Sequence, residues 1–249
     1  MELTDKNLTL FTSYRITSAD TDMDSRLRLG GLVNLFIQSA ISSADSFGFG
    51  FGGIKQQQLF WVLSRMTIEI TRPLNWYEEA VVETWLKNIE GIIYLRDFIV
   101  RDKAGEIVAM ATSAWLAIDL KTKRPKRIEG LDADLFVLLK DKHALNETPE
   151  KLMATPEGDS FEVKATYFDI DLNKHVTSTR YIDWMMDSLP LEFCRANYPR
   201  RFAINYLKET MPGEVIRFVC SKEEPKNVFH FEGSNLTSNT NAFRGKIEF

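Results

Sequence analysis

The chain has 249 residues, 44% of them apolar and 27% charged, with 31 basic against 35 acidic side chains and a net charge of -4. That balance excludes a disordered chain, and without a concentrated run of Lys and Arg it argues against a nucleic-acid groove. Two cysteines, Cys194 and Cys220, are too few for a disulfide scaffold or a structural zinc site, and neither belongs to a CxxC pair.

The N-terminal MELTDKNLTLF carries acids where a signal peptide has its basic patch, and no apolar run approaches the length of a membrane span. A cytoplasmic setting without membrane insertion is the expectation. Leu27, Leu29, Leu32, Val33, Phe36, Ile37, Ala40, Ile41 and Ala44 recur at three- and four-residue intervals, predicting a long helix over 26–46 with Ser25 as its cap. Its apolar stripe serves core packing or lines a tunnel, with Leu29, Leu32, Val33 and Phe36 the positions concerned. The glycines of FGFGFGG, at 47–53, should stop that helix.

Strand patterns follow at 60–71, 80–89, 92–102 and 106–119, with DKAG at 102–105 as a turn. Met66, Ile68 and Ile70 alternate as one buried face of a sheet requires. Residues 120–160 change character, with KTKRPKR and prolines at 125, 149 and 156, and read as a connector holding a short helix at 132–142. Further strands are expected near 215–221, 228–236 and 241–249.

The pattern then begins again. Asp22-Met23-Asp24 precedes one apolar helical stretch and Asp171-Leu172-Asn173 precedes another, 149 residues later, and Leu32/Tyr181, Val33/Ile182 and Phe36/Met185 keep that spacing. Ile68 and Ile70 correspond to Ile204 and Tyr206 at a spacing of 136. Two repeats, each a sheet around a helix, could join in one structure. Their chemistry differs: Asp22, Asp24 and Arg26 in the first stand against Asp171, Asn173 and His175 in the second.

Two stretches carry a resemblance to a known family. DLNKHVTSTRYIDW, Asp171 to Trp184, and FWVLSRMTIEITR, Phe60 to Arg72, resemble segments of the acyl-acyl carrier protein thioesterases, and the likeness runs from about Tyr14 to Phe243. It implies an α+β double hotdog, two helix-wrapped antiparallel-sheet repeats in one chain. The repeats would cover 1–130 and 161–249, joined by 131–160. It also implies thioester hydrolysis on an acidic acyl carrier protein, and Glu209, in a segment read as strand, as a fourth site residue beside Asp171, Asn173 and His175. The next family position is often Cys, whereas this chain has Thr210, which counts against a cysteine nucleophile.

The residues themselves fit water attack on an acyl carbonyl, which needs a proton acceptor and donors for the developing oxyanion. No metal and no cofactor is required. Either Glu209 or Asp171 is the base, Asn173 orients water or polarises the carbonyl, and His175 assists proton transfer. In an extended segment Asp171, Asn173 and His175 would share a face, with the start of the next helix adding free N–H groups. Asp171 and Asn173 also suit a helix cap, His175 an interface bond, and Glu209 a solvent-facing charge.

Arg65, Arg72, Arg96 and the Lys121–Arg127 cluster are candidate contacts for the carrier, the cluster also reading as a solvated connector. Trp61, Trp85 and Trp115 read as packing anchors, and His143 and His230 as bystanders. An acyl-CoA thioesterase, a dehydratase of the same fold and a noncatalytic acyl-binding protein are the alternatives. Monomer and homodimer both remain open.

Overall fold

The structure is a computed structural model describing residues 8–131, 139, 141–155 and 157–249. The first half runs β1 (Thr9–Arg15), α1 (Leu29–Ser46), α2 (Phe51–Gln56), β2 (Leu59–Ile70), β3 (Glu79–Glu90), β4 (Ile93–Asp102) and β5 (Ile107–Asp119). The second runs β6 (Asp159–Lys164), a 3-10 turn (Tyr167–Asp169), α3 (Ser178–Asp187), α4 (Leu191–Ala196), β7 (Arg201–Tyr206), β8 (Val215–Glu223), β9 (Val228–Asn235) and β10 (Thr240–Glu248). All ten strands form one antiparallel sheet in the order β1-β3-β4-β5-β2-β7-β10-β9-β8-β6. Each half contributes the same order, read inward from its outer edge, and β2 meets β7 at the centre from Arg65↔Asn205 to Glu69↔Arg201. This is the expected double hotdog.

Alternation along the strands decides what each face covers. Met66, Ile68 and Ile204 point into a core that also holds Leu29, Leu32, Val33 and Phe36 of α1 and Tyr181, Ile182 and Met185 of α3. Phe36 packs on Phe98 with ring centroids 4.9 Å apart, and burying such a side chain contributes roughly 1.5–3 kcal/mol. The two helices touch where Gly30 leaves room: a Cβ there would lie 2.5 Å from Oδ1 of Asp183.

The intervening residues Thr67 and Asn205 bind the connector on the opposite face. Glu150 N–H donates to Thr67 Oγ1 (2.8 Å), Leu152 N–H donates to Asn205 Oδ1 (2.9 Å), and Asn205 Nδ2 donates to the Glu150 carbonyl (2.8 Å). Farther out, the Trp85 indole and the Lys87 ammonium donate to the carbonyls of Lys142 and Leu145. From Lys142 to Leu152 the connector is therefore a strap laced across the back of the sheet.

Several expectations need correction. α1 starts at Leu29, because Asp22 to Leu27 fold into a tight loop; Ser25 sits inside it at φ 64°, and the cap is Arg28. The glycine-rich stretch does end α1: Gly48 takes φ 76°, with Phe49 N–H donating to Ala44 O and Gly48 N–H to Asp45 O. It then forms α2, so the glycines stop one helix and begin another. The short helix expected at 132–142 falls largely outside the described residues. No helix among the described residues is long and apolar enough to cross a membrane.

Candidate active site

Asp171 to His175 form a closed loop, not an extended segment. Asp171 N–H donates to the His175 carbonyl (2.9 Å), and its Oδ1 accepts the N–H groups of Asn173 (2.8 Å) and His175 (3.3 Å). Lys174 takes φ 67° at the bend, and Ile170 bridges Val176 across the base. Asn173 Nδ2 lies 3.5 Å from Asp171 Oδ2. The carboxylate of Asp171 thus folds the loop that displays Asn173, exposed, and His175, half-buried.

The first half contains the same loop, bond for bond. Asp22 N–H donates to the Arg26 carbonyl (2.8 Å), Asp22 Oδ1 accepts Asp24 N–H (3.0 Å) and Arg26 N–H (2.9 Å), and Thr21 bridges Leu27. Below each loop, Thr17 or Thr166 donates N–H and hydroxyl to the carboxylate of Asp20 or Asp169. Each loop is also tied to the segment after the central strand, Leu27 N–H to Leu74 O (2.7 Å) and Val176 N–H to Thr210 O (2.9 Å). Leu74 and Thr210 are 136 residues apart, so the twin of Glu209 is Pro73.

The side chains diverge. Arg26 turns back to Asp22 Oδ2 (2.9 Å) and donates to the carbonyls of Cys194, Arg195 and Asn197 at the end of α4, closing its loop against protein. His175 in the same place has no side-chain hydrogen bond among the described residues. The second loop keeps the scaffold of the first and replaces its structural bonds with available polar groups.

Glu209 directly precedes Thr210, the residue whose carbonyl ties down this loop. The strand expected there ends at Tyr206, and Glu209 sits exposed in the loop 207–214, in which Thr210 accepts the Val176 N–H. Strand pairing ends because Leu207 and Lys208 N–H both turn to the Ala242 carbonyl. The structure makes no hydrogen bond between Glu209 and the other three residues. Thr210 is fully buried against the Tyr181 hydroxyl, whose pKa burial pushes up to about 12. Tyr206 donates to the Ser178 carbonyl (3.0 Å), locking the first residue of α3 onto β7.

Sequence reasoning missed the brace beneath the loop. Asp169 is buried, and Arg180 Nε donates to its Oδ1 (2.8 Å) while Thr166 holds its Oδ2. Burial pushes the Asp169 carboxyl up, but the Thr166 N–H, the Arg180 guanidinium and the Thr166 hydroxyl together hold it below the ordinary aspartate value. The recurrence of Thr17/Asp20 as Thr166/Asp169 at the same 149-residue spacing was the available signal. An open cleft of about 690 Å³ adjoins the loop, lined by Thr166, Tyr167, Phe168, Asp171 and Pro212.

The other named residues sort by burial. Arg96 is only 7% exposed and bonds Thr84, so it is no surface contact, and Arg72 is held by Glu78 and Asp102. Lys121 to Arg127 are exposed and Arg65 is half-buried. Trp85 is fully buried, Trp61 stands edge-on to Tyr94, and Trp115 bonds Ser113. His143 is exposed and His230 lies near Glu223. Burial raises both thiols, Cys220 to about 11, which leaves neither activated as a nucleophile.

Comparison with known proteins agrees with this architecture. Residues 7–131 match the acyl-ACP thioesterase N-terminal domain and residues 152–249 the C-terminal domain of the same family. A crystal structure of an acyl-ACP thioesterase from Bacteroides thetaiotaomicron superposes with a TM-score of 0.90 at 29% identity, covering 99% of both chains. The 12:0-ACP thioesterase from Umbellularia californica shares the fold, with a TM-score of 0.80 at 20% identity over 97% of this chain and 96% of that one. The chloroplastic oleoyl-acyl carrier protein thioesterase 2 of Arabidopsis thaliana is 25% identical over 239 residues, which are 86% of this chain and 63% of that protein. The chain therefore spans less than two thirds of that curated relative. With both family domains matched in order over most of its length, the chain belongs to the acyl-ACP thioesterase family.

Proposed function

We propose that the chain hydrolyses the thioester of a fatty acyl group carried on acyl carrier protein, releasing free fatty acid and the carrier's thiol. One observation carries this reading: two loops with the same backbone bonds differ where chemistry needs them to, with Asn173 for Asp24, His175 for Arg26 and Glu209 for Pro73. The first loop spends its side chains on protein; the second offers them to a ligand. The names of the plant relatives support the carrier-bound substrate.

Asp171 Oδ1 accepts two backbone N–H groups that fold the loop, so its carboxyl group is already engaged, which favours Glu209 as the base. Glu209 takes a proton from water as the water oxygen bonds to the acyl carbon. Asn173 and His175 donate to the oxyanion, which collapses, breaks the carbon–sulfur bond and expels the thiolate. The proton that Glu209 took from water then goes to sulfur, directly or relayed through His175. In this reading the halves are 1–130 and 161–249, the connector is 131–160, and the protein works in the cytoplasm, whereas the plant relatives are named chloroplastic.

Thiol release from a chain-length series of acyl carrier proteins, beside matched acyl-CoA substrates, tests the proposal. The expected result is chain-dependent release that strongly favours the carrier protein. Hydrolysis of CoA thioesters alone would move the assignment to acyl-CoA, and inactivity of folded protein on both would contradict it.

A further inference from the structure

The central seam is shorter than the strand that makes it. β2 pairs with β5 along its whole length, from Leu59↔Asp119 to Ile70↔Ala109, but with β7 only from Arg65 to Glu69. From Ser64 to Leu59 the β7-facing edge of β2 pairs with no strand among the described residues, and the loop carrying Glu209 departs beside it.

Hydrogen-bond parity says which groups face that edge. Ile70 N–H donates across the seam to Arg200, whereas Thr71 N–H donates to Val108 at the end of β5. The register shift between Leu63 and Arg65 reverses the parity, and beyond it Leu120 N–H donates to the Gln58 carbonyl, which assigns the even residues to β5. Trp61 and Leu63 therefore aim N–H and C=O into the open edge. Neither finds a partner there among the described residues, although Leu63 is only 5% exposed.

Buried backbone groups need a polar partner, and a hydrocarbon tail supplies none. An extended chain with amides does, by adding itself as a strand. The edge runs about 13 Å from Leu63 to Leu59 at 3.3 Å per residue. At its outer end Lys123 Nζ stands 5.3 Å over the Phe60 ring, amid the exposed basic cluster Lys121–Arg127. The sequence of features is thus a hydrolytic loop, then paired amide-binding positions, then positive charge.

We propose that the open edge of β2 cradles the thiol arm of the acyl donor, with Trp61 and Leu63 hydrogen-bonding its two amides and the cluster around Lys123 receiving its phosphate. This rests on the thioester-hydrolase reading above and adds where the donor lies. It also gives the Lys121–Arg127 cluster a defined part, at the phosphate end of the arm.

The test compares two dodecanoyl thioesters, of pantetheine and of 2-mercaptoethanol, which lacks amides. Replacing Leu63 with its α-hydroxy acid deletes one N–H and leaves the side chain; the pantetheine-to-mercaptoethanol ratio of kcat/KM should fall about tenfold. The same replacement at Val62, whose N–H faces β5, should leave the ratio as in the wild type. In a second variant, Lys123→Asn with Arg124→Gln, the preference for phosphopantetheine over pantetheine thioester should fall several-fold. Ratios that stay at wild-type values in both Leu63 and Lys123 variants, with hydrolysis retained, overturn this inference alone. No thiol release by the wild-type protein from any thioester overturns the hydrolase reading and this inference together.

Discussion

Asp169 sits at the foot of the candidate loop and illustrates how a residue outside the chemistry fixes it. Its carboxylate takes the Thr166 N–H at 2.7 Å and the Arg180 guanidinium at 2.8 Å, and its carbonyl accepts the Thr177 N–H that leads into α3. Because its folded pKa is lowered, its stabilising contribution is complete above the unfolded value of about 3.9 and is lost as pH falls through the folded value. Asp169→Asn should cost roughly 1.5–3 kcal/mol near neutrality, and urea unfolding at a series of acid pH values should show a flatter decline than in wild type. Equal slopes would mean the brace carries no net charge energy. At this scale the sequence exposed Asp171, Asn173 and His175, because they are close in the chain and form a motif. It hid the brace, because Asp169 and Arg180 meet only after the loop between them has folded.

Among the elements, the strap was the least legible. Its prolines and charges read as a connector holding a short helix, yet Asn205, inside a central strand, gives both an acceptor and a donor to it. A polar residue in the middle of RFAINY marks a strand whose back face is covered, a signal that alternation alone does not interpret. Asn205→Ala should leave the buried Leu152 N–H without a partner at a cost of about 1–3 kcal/mol, with hydrogen exchange accelerating at 150–152 before the rest of the sheet. Exchange that stays slow there would show the strap held by other contacts. β1 and β6 also escaped the reading: both are outer strands of the sheet with half their residues exposed, so their apolar pattern is thin. The long buried strands β2 to β5 were read within a few residues because both their faces are covered.

For the molecule as a whole, duplication is the organising fact. The spacings of 149 and 136 residues foresaw two similar halves, and the structure shows them matched down to individual hydrogen bonds. What the spacings did not foresee was the fate of each copy. Arg26 reaches across to α4, 168 residues away, and no local pattern predicts that closure. With the halves joined through β2 and β7, one loop is a structural joint and the other keeps open polar groups.

The most direct test sets the two copies against each other in one thiol-release assay, with unfolding midpoints measured in parallel. His175→Ala and Glu209→Gln should each lower turnover at least about 100-fold while leaving stability close to wild type. Arg26→Ala should do the reverse, losing roughly 1.5–3 kcal/mol of stability while the folded fraction still turns over. If folded Arg26→Ala protein were inactive and His175→Ala protein retained full turnover, the assignment of chemistry to the second loop would be wrong.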